Sequence, residues 1–528
     1  MKLLKSSAAF GAMTLISRIL GFARDVVLAR FFGAGMIMDA FAAAFRLPNL
    51  LRRIFAEGSF SLAFVPVFSE AREQDDPKAL RELIDAVAGS LLAILLVVTA
   101  IGVLMAPLIM RIVVPGFADN PEQMQLAGDL LRVMFPYLML VSLTAMAAGI
   151  LNTIGRFALP ALTPVMLNVS IIVAAVAFSH YFERPIMAVA WGVLIAGFLQ
   201  LMMLMPALMR HGLLPRPRTQ FQHAGVRKIG KLMLPTLFGS SVAQINLLFD
   251  TFLASLLIAG SVSWLYYSER LMDFPLGIFG VALATVILPT LSRMHAHSDH
   301  QQFRQTLEWA LTLGMVIGVP AAVGLMLLAE PLMLTLFQRG EFSLQDAQWA
   351  GFALSTYCLG LPAFIAVKIL APAYYSRQDT VTPVKIAVVA LLSNMLLNVV
   401  FVGLLVLYWT EPGGGWWQRM QQSPGIHAGL ALASSASGWL NAGLLWYFLK
   451  RSGSQPDLQW KQALRIIFAA IGMGLMVVWL SPPIEQWQAA SGTQRVLWAG
   501  STITSGAAAF GLLLMVFGMR KHHLIRSD

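Results

Sequence analysis

Charge is what this sequence has least of: Asp, Glu, Lys and Arg supply only 12% of its 528 residues, about half the share usual in soluble domains. No stretch is polar enough to form the shell of a soluble fold, so a water-soluble multidomain protein is excluded. Cysteine is almost missing. Cys358 is the only one and lies inside an apolar run, which rules out an intrachain disulfide and leaves a small buried thiol. His295, His297 and His300 share one short loop without a helical ligand spacing, so no metal site is expected. There is no Walker loop, no Gly-rich dinucleotide turn, no nucleophile elbow and no pair of catalytic carboxylates. The chain is therefore not expected to be an enzyme or to hold a cofactor, and any work it does must draw on a gradient rather than on ATP.

What the sequence has in abundance is apolar length. Hydrophobic residues make up 58% of the chain and the mean hydropathy is +0.71. Windows of about twenty residues suffice to cross a hydrocarbon core of ~30 Å as helix. They fall at 7–31, 37–66, 82–112, 125–152, 157–179, 185–209, 227–258, 263–291, 304–328, 345–375, 380–408, 426–449, 462–481 and 494–519. The expected fold is an all-α polytopic membrane protein with about 14 transmembrane helices. Lys2 and Lys5 precede the first run, but Arg18, Arg24 and Asp25 interrupt it and no small-residue cleavage site follows, so it reads as a retained helix.

The net charge of +11 invites nucleic acid as a partner, but most of the excess sits in short loops, where it sets topology. Arg210, Arg216, Arg218, Arg227, Lys228 and Lys231 lie between spans six and seven; Arg293 and Arg304, Arg377 and Lys385, and Lys450, Arg451 and Lys461 flank later loops on the same side. The opposite loops hold little besides Arg111, Arg184, Arg339, Arg419 and Arg495. Both termini are thus expected in the cytoplasm. Trp416, Trp417 and Trp487 in outer loops are expected at headgroup level.

A repeat is visible in two places. Ile54-Phe55 with Ala63, Pro66 and Ser69 resembles Ile278-Phe279 with Val286, Pro289 and Ser292 at an offset near 223, and Arg156 with Thr163-Pro164-Val165 resembles Arg377 with Thr382-Pro383-Val384 at an offset near 220. Two six-helix lobes in the same orientation, 1–222 and 223–450, followed by two additional helices in 451–528, describe a pseudo-symmetric transporter that would take its substrate between the lobes.

Charged groups inside a span cost about 2.5–3.5 kcal/mol each on insertion scales, so they face a cavity or one another. Span one holds Arg18, Arg24 and Asp25; span two holds Asp39, Arg46, Asn49, Arg52, Arg53 and Glu57. At 100° per residue, Asp39, Arg46, Arg53 and Glu57 fall within about 40° of one face, with Asn49 beside them and Arg52 turned away. Pro48 and Gly58 work against a regular helix there. Span eight adds Glu269, Arg270 and Asp273, and span seven Asp250. Several guanidiniums facing a low-dielectric cavity suit a phosphate or pyrophosphate, which they grip bidentately. Asp25, Asp39 and Glu57 would pair with them in the empty state, and such pairs also make gates. Taken singly, Arg30, Arg46 and Arg53 are as readily explained by snorkelling or by pairing at helix ends, and so are the isolated Arg132 and Lys368. Asp250, with Asn394 and Asn398 one turn apart in span eleven, could ligate a monovalent cation through oxygen. Polar contacts between helices explain the same residues more simply.

The run Thr14 to Asp25 (TLISRILGFARD), then Asp39-Ala-Phe, Phe45 to Arg53 (FRLPNLLRR), Glu57-Gly-Ser-Phe-Ser and Phe64-Val-Pro-Val-Phe, resembles the MurJ (MviN) family of the multidrug/oligosaccharidyl-lipid/polysaccharide (MOP) exporter superfamily. The resemblance covers essentially the whole chain. It implies a flippase that moves lipid II, the undecaprenyl-pyrophosphate-linked precursor of peptidoglycan, from the cytoplasmic to the periplasmic leaflet by alternating access through a central cavity. A groove from the two extra helices would house the lipid tail. By position, Arg18, Arg24, Arg52 and Arg270 match arginines that engage the pyrophosphate, Asp39 an essential acid, and Arg24, Asp25 and Glu57 an outer gate. Arg53 and Asn49 join the substrate-binding set on the residue pattern above. The implied cation site maps onto Asp250, Asn394 and Asn398, so monovalent cation or membrane-potential coupling is an open expectation. Expected partners are lipid II, membrane lipids and other cell-wall synthesis proteins, not nucleic acid. The competing readings are an exporter of another polyprenyl-linked glycan, a multidrug antiporter of the same superfamily, and a membrane-embedded glycan polymerase. An arginine-rich cavity repels organic cations, and Glu411 and Glu485 in short outer loops lack evident catalytic partners.

Overall fold

The bilayer leaves a chain no water to satisfy its backbone, so an apolar chain of this kind closes its hydrogen bonds within helices. The computed structural model describes residues 2–54, 60–297, 299–410, 415–452 and 460–519, and among them every regular element is helical. Two compact units divide the chain, Met1–Val262 and Ser263–Asp528. The first contains α1 (Lys2–Phe32), α2 (Met36–Arg52), α3 (Phe60–Glu73), α4 (Pro77–Val113), α5 (Pro121–Met134), α6 (Tyr137–Thr153), α7 (Ala158–Ala161), α8 (Thr163–Val173), α9 (Ile186–Arg210) and α10 (Ala224–Ser255). The second is built from α11 (Ser261–Pro275), α12 (Val281–Ala296), α13 (His300–Leu327), α14 (Ala329–Leu336), α15 (Leu344–Cys358), α16 (Leu361–Tyr375), α17 (Val381–Trp409), α18 (Trp416–Gln422), α19 (Ala428–Arg451), α20 (Trp460–Leu480), α21 (Ile484–Ala489) and α22 (Gly492–Val516).

All fourteen expected spans coincide with helix among the described residues. Among the described residues, eight helical stretches are long and apolar enough to cross a membrane on those grounds alone, and α15–α16, bent by 44°, makes nine. The expected spans outside that set are α1, α2–α3, α10, α11–α12 and α19. Four of these five hold the candidate site charges, Arg18, Arg24 and Asp25, Asp39 to Arg53, Asp250, and Glu269 to Asp273. In span two the described residues form α2, a π turn at Arg53–Ile54, and α3. In span eight a π turn at Leu276–Gly280 separates α11 from α12. Ile54 and Ile278 are the matched isoleucines of the repeat, so both copies loosen their helix at the same place. A π turn there shifts the register of every side chain beyond it.

Helix ends follow local rules. Asp76 caps α4, accepting from the backbone N–H groups of Lys78 at 2.9 Å and Ala79 at 3.2 Å, ahead of Pro77 at the first helical position. Ser343 with Asp346 and Ser491 with Gln494 form capping boxes that start α15 and α22. In the first unit α2 packs on α5 and α6, α1 on α8, and α10 on α3 and α4. In the second, α17 pairs with α19 and α20 with α22, while α13 runs beside α16 and α20.

Candidate substrate and gating site

Two charged residues of α1, Arg24 and Asp25, form a buried ion pair. Arg24 and Asp25 are 8% and 1% exposed. Arg24 donates from Nε (2.9 Å) and Nη2 (2.7 Å) to Asp25 Oδ1, and from Nη1 to Asn168 Oδ1 at 3.0 Å. Asn168 sits on α8 and returns a bond from Nδ2 to the carbonyl of Ser17 at 3.1 Å, so one amide orients the guanidinium and ties two helices together. Asn168 was missed in the sequence. Its one signal is being the sole amide in the apolar stretch Thr163–Val173. Side chains of adjacent helical residues diverge by about 100°, so the Arg24–Asp25 pair forms only because both bend toward one side. A phosphate offers Arg24 a fork with better geometry. Removing a partner from a buried pair costs about 3–5 kcal/mol, so an incoming anion must replace Asp25 rather than merely displace it. Arg18, one turn and a half earlier, is half-buried.

The polar stripe of α2 divides into two parts with different partners. Asp39, 1% exposed, stands in the first turn, where the helix dipole favours a carboxylate, and accepts the backbone N–H of Gly260 at 2.6 Å. Gly260 has φ +99°, a left-handed conformation that suits only glycine. Arg46, 6% exposed, donates from Nη1 to the Leu247 carbonyl at 3.3 Å and to Thr251 Oγ1. Two buried charges of opposite sign therefore grip the last turns of α10 and the turn that follows. Gly116 lies against the same place, donating its N–H to Ser255 Oγ at 3.3 Å. At this end of the stripe both charges meet polar groups of α10 and the turn after it. Asp39 was expected to pair with arginine, and Gly260 supplies an N–H bond to it. At the other end, half-buried Arg52 donates from Nε (3.2 Å) and Nη2 (2.9 Å) to Asn49 Oδ1, so Arg52 folds back to Asn49 across the helix surface. Arg53 is half-buried in the π turn, and Glu57 lies outside the described residues.

In the second unit, Arg270 sets its Cζ 4.7 Å from the centroid of the Tyr266 ring, one turn earlier on α11, a cation–π contact that holds the guanidinium without neutralising it. Glu269 beside it accepts from Tyr357 Oη at 3.1 Å. The candidate cation ligands fall in both units. Asp250 is buried on α10 and accepts from Asn246 Nδ2 at 3.3 Å, while Asn394 and Asn398 are buried on α17. No group of three or more His, Cys, Asp or Glu side chains suited to a metal occurs among the described residues.

Other expectations resolve simply. Arg132 pairs with Asp129 at 3.4 Å, and Arg184 reaches the same carboxylate at 3.3 Å. Trp416 and Trp417 are exposed, whereas Trp487 is fully buried. Its indole N–H donates to Ser481 Oγ at 3.2 Å and its ring meets Trp498 edge-on at 5.5 Å, so it closes the turn between α20 and α22 from inside. Arg495, read as a stray basic residue of an outer loop, is buried and donates to the carbonyls of Trp487 (2.8 Å), Leu334 (3.1 Å) and Gln488 (2.8 Å), and to Gln338 Oε1.

Comparison with known proteins places this architecture. A family profile described as "Lipid II flippase MurJ" matches residues 28–497. The chain is 41% identical to the probable lipid II flippase MurJ of Haemophilus influenzae, covering 98% of this chain and 100% of that one. It is 38% identical to the lipid II flippase MurJ of Burkholderia cenocepacia over 91% of this chain and 90% of that one. Among solved structures it matches a lipid II flippase MurJ in an inward closed conformation with a TM-score of 0.79 and 27% identity, covering 96% of this chain and 98% of the other. It also shares its fold with an inward-facing MATE family multidrug transporter of the MOP superfamily, at a TM-score of 0.66, 14% identity, and coverage of 85% and 98%. With a polytopic helical architecture matched end to end, the chain belongs to the lipid II flippase MurJ family.

Proposed function

We propose that this protein moves lipid II from the cytoplasmic to the periplasmic leaflet of the bacterial inner membrane by alternating access, with both termini in the cytoplasm. The observation that carries the reading is Arg24. It is a buried guanidinium whose counter-charge is its own sequence neighbour, in a chain similar over its whole length to lipid II flippases. A pyrophosphate can take over the bonds that Asp25 and Asn168 make, and release returns them, so binding and gating use the same donors. Arg18, Arg52, Arg53 and Arg270 add cationic contacts, with Asn49 as a neutral donor, and Asp39 holds the end of α10 in place. The headgroup crosses while the prenyl chain stays in lipid. No covalent bond changes, and the cycle is powered by the membrane potential or a monovalent cation gradient. Lipid II and surrounding lipids are the partners in this reading, and the proteins that make and consume lipid II are its neighbours.

The test is growth support in a strain depleted of its own flippase. Arg18→Ala, Arg24→Ala and Arg270→Ala are expected to fail while reaching the membrane in normal amount. Normal growth with all three sinks the proposal. Incubating purified protein with the lipid precursor separates transport from polymerisation: leaflet transfer of unchanged lipid supports a flippase, and a polymer product an enzyme.

A further inference from the structure

The segment joining α9 to α10 is more ordered than a topology signal needs to be. Residues 213–220 run without helix or turn through Leu-Leu-Pro-Arg-Pro-Arg-Thr-Gln. Pro215 and Pro217 each fix φ and remove an N–H, leaving a stiff strap. Its remaining alternate N–H groups are all taken by α4. Arg216 N–H donates to Asp85 Oδ1 at 2.7 Å, Arg218 N–H to the Asp85 carbonyl at 3.0 Å, and Gln220 N–H to Ser90 Oγ at 3.2 Å. Asp85 and Ser90 are 6% and 2% exposed. Between them, a Cβ on Gly89 would lie 2.2 Å from the Arg218 carbonyl carbon, so only glycine lets the strap lie flat on the helix. Leu213 and Leu214 pack on a core that includes Leu83, Val87, Leu204 and Leu208. A buried carboxylate, a serine and a glycine thus fix the backbone, while the side chains of Arg216 and Arg218 stay exposed.

Phe221, at the end of the strap, is 50% exposed, and Arg227 follows on the first turn of α10, also exposed. No Asp or Glu occurs from 210 to 231. Fixed guanidiniums beside an exposed aromatic ring, at the level where α4, α9 and α10 begin or end, match a charged headgroup layer over an acyl boundary. Orientation by charge excess requires Lys and Arg only in number. It gives no reason to hold the backbone by three hydrogen bonds and a glycine contact.

We propose that the 213–220 strap is a docking ledge for anionic phospholipid headgroups of the cytoplasmic leaflet, with Arg216 and Arg218 on the phosphates and Phe221 at the acyl boundary. The probe is phosphatidylglycerol mixed with phosphatidylcholine in nanodiscs around the full-length protein, and the readout is the number of each lipid retained in native mass spectrometry. Arg216→Gln and Arg218→Gln should each weaken phosphatidylglycerol retention roughly fivefold, and Arg304→Gln, an equal charge loss near the start of α13, should leave it unchanged. The deciding variants move the ledge without removing its arginines. Gly89→Ala should weaken retention as much as removing both. Asp85→Ala should weaken it too, although it makes the region more positive, and serves if Gly89→Ala does not fold. Wild-type retention in both Gly89→Ala and Asp85→Ala, or stronger retention in Asp85→Ala, overturns the proposal. Release by inorganic phosphate, at an ionic strength where chloride releases nothing, would mean a free-anion site and would equally overturn it.

Discussion

The two units bury charge in different ways. Among the described residues the first unit buries Arg24, Asp25, Asp39, Arg46, Asp85 and Asp250, and the second only Asp346 and Arg495. In the second unit both close helix ends. Asp346 completes the Ser343 capping box and accepts the Trp264 indole N–H at 2.9 Å, and Arg495 ties α21 and the start of α22 to α14 with four bonds. In the first unit, Asp39, Arg46 and Asp85 likewise hold backbone, but Arg24 and Asp25 hold each other. Burial of a charge therefore does not mark a substrate site. A charge answered mainly by another mobile side chain can be exchanged for a ligand, whereas one answered by backbone carbonyls cannot be withdrawn without undoing a helix end.

That contrast can be broken by swapping its members. Replacing both members of the pair, Arg24→Gln with Asp25→Asn, leaves no buried charge unanswered and should lower transport per folded molecule by roughly a hundredfold or more while leaving thermal unfolding of the purified protein in detergent near wild type; a large loss of stability with normal transport would erase the distinction. Arg495→Met should do the reverse, costing about 3 kcal/mol of stability by leaving buried carbonyls unanswered, with transport unchanged once corrected for folded protein. Asn168→Leu removes one of the bonds to Arg24 and should reduce transport about tenfold, less than loss of the arginine itself. Ser343→Ala should cost about 1 kcal/mol of stability and no transport.

The smallest effect should come from Asp379, in the turn before α17. Burial would raise its pKa, but the backbone N–H and hydroxyl of Thr382, the N–H of Val381 and nearby Arg377 together hold it below the ordinary carboxylate value. A depressed folded pKa means that its stabilisation is complete above the usual carboxylate range and fades as pH falls through the lower value. Asp379→Asn should therefore remove a small increment at neutral pH and none in strong acid. An equal difference at both pH values would show that charge is not involved.

The helices were legible because a bilayer forces apolar residues into runs of helical length, and that constraint acts locally. The loss of regular helix at Arg53–Ile54 was foreshadowed by Pro48. The partners were not legible. Nothing near Asp39 in the chain points to Gly260, nor anything near Arg24 to Asn168, because those contacts join residues 221 and 144 positions apart. Arg495 misled for a related reason: at a helix start in a short loop, a basic residue looks the same whether it meets water or four buried oxygens. Trp487 carried the same ambiguity between an interfacial ring and a core one.

The lone thiol has a practical consequence. Cys358 is fully buried on α15, so maleimides or methanethiosulfonates arriving from either leaflet meet no reactive sulfur on the native fold. A single cysteine introduced at any described surface position would then report its own solvent access in intact cells, leaflet by leaflet, over a silent background.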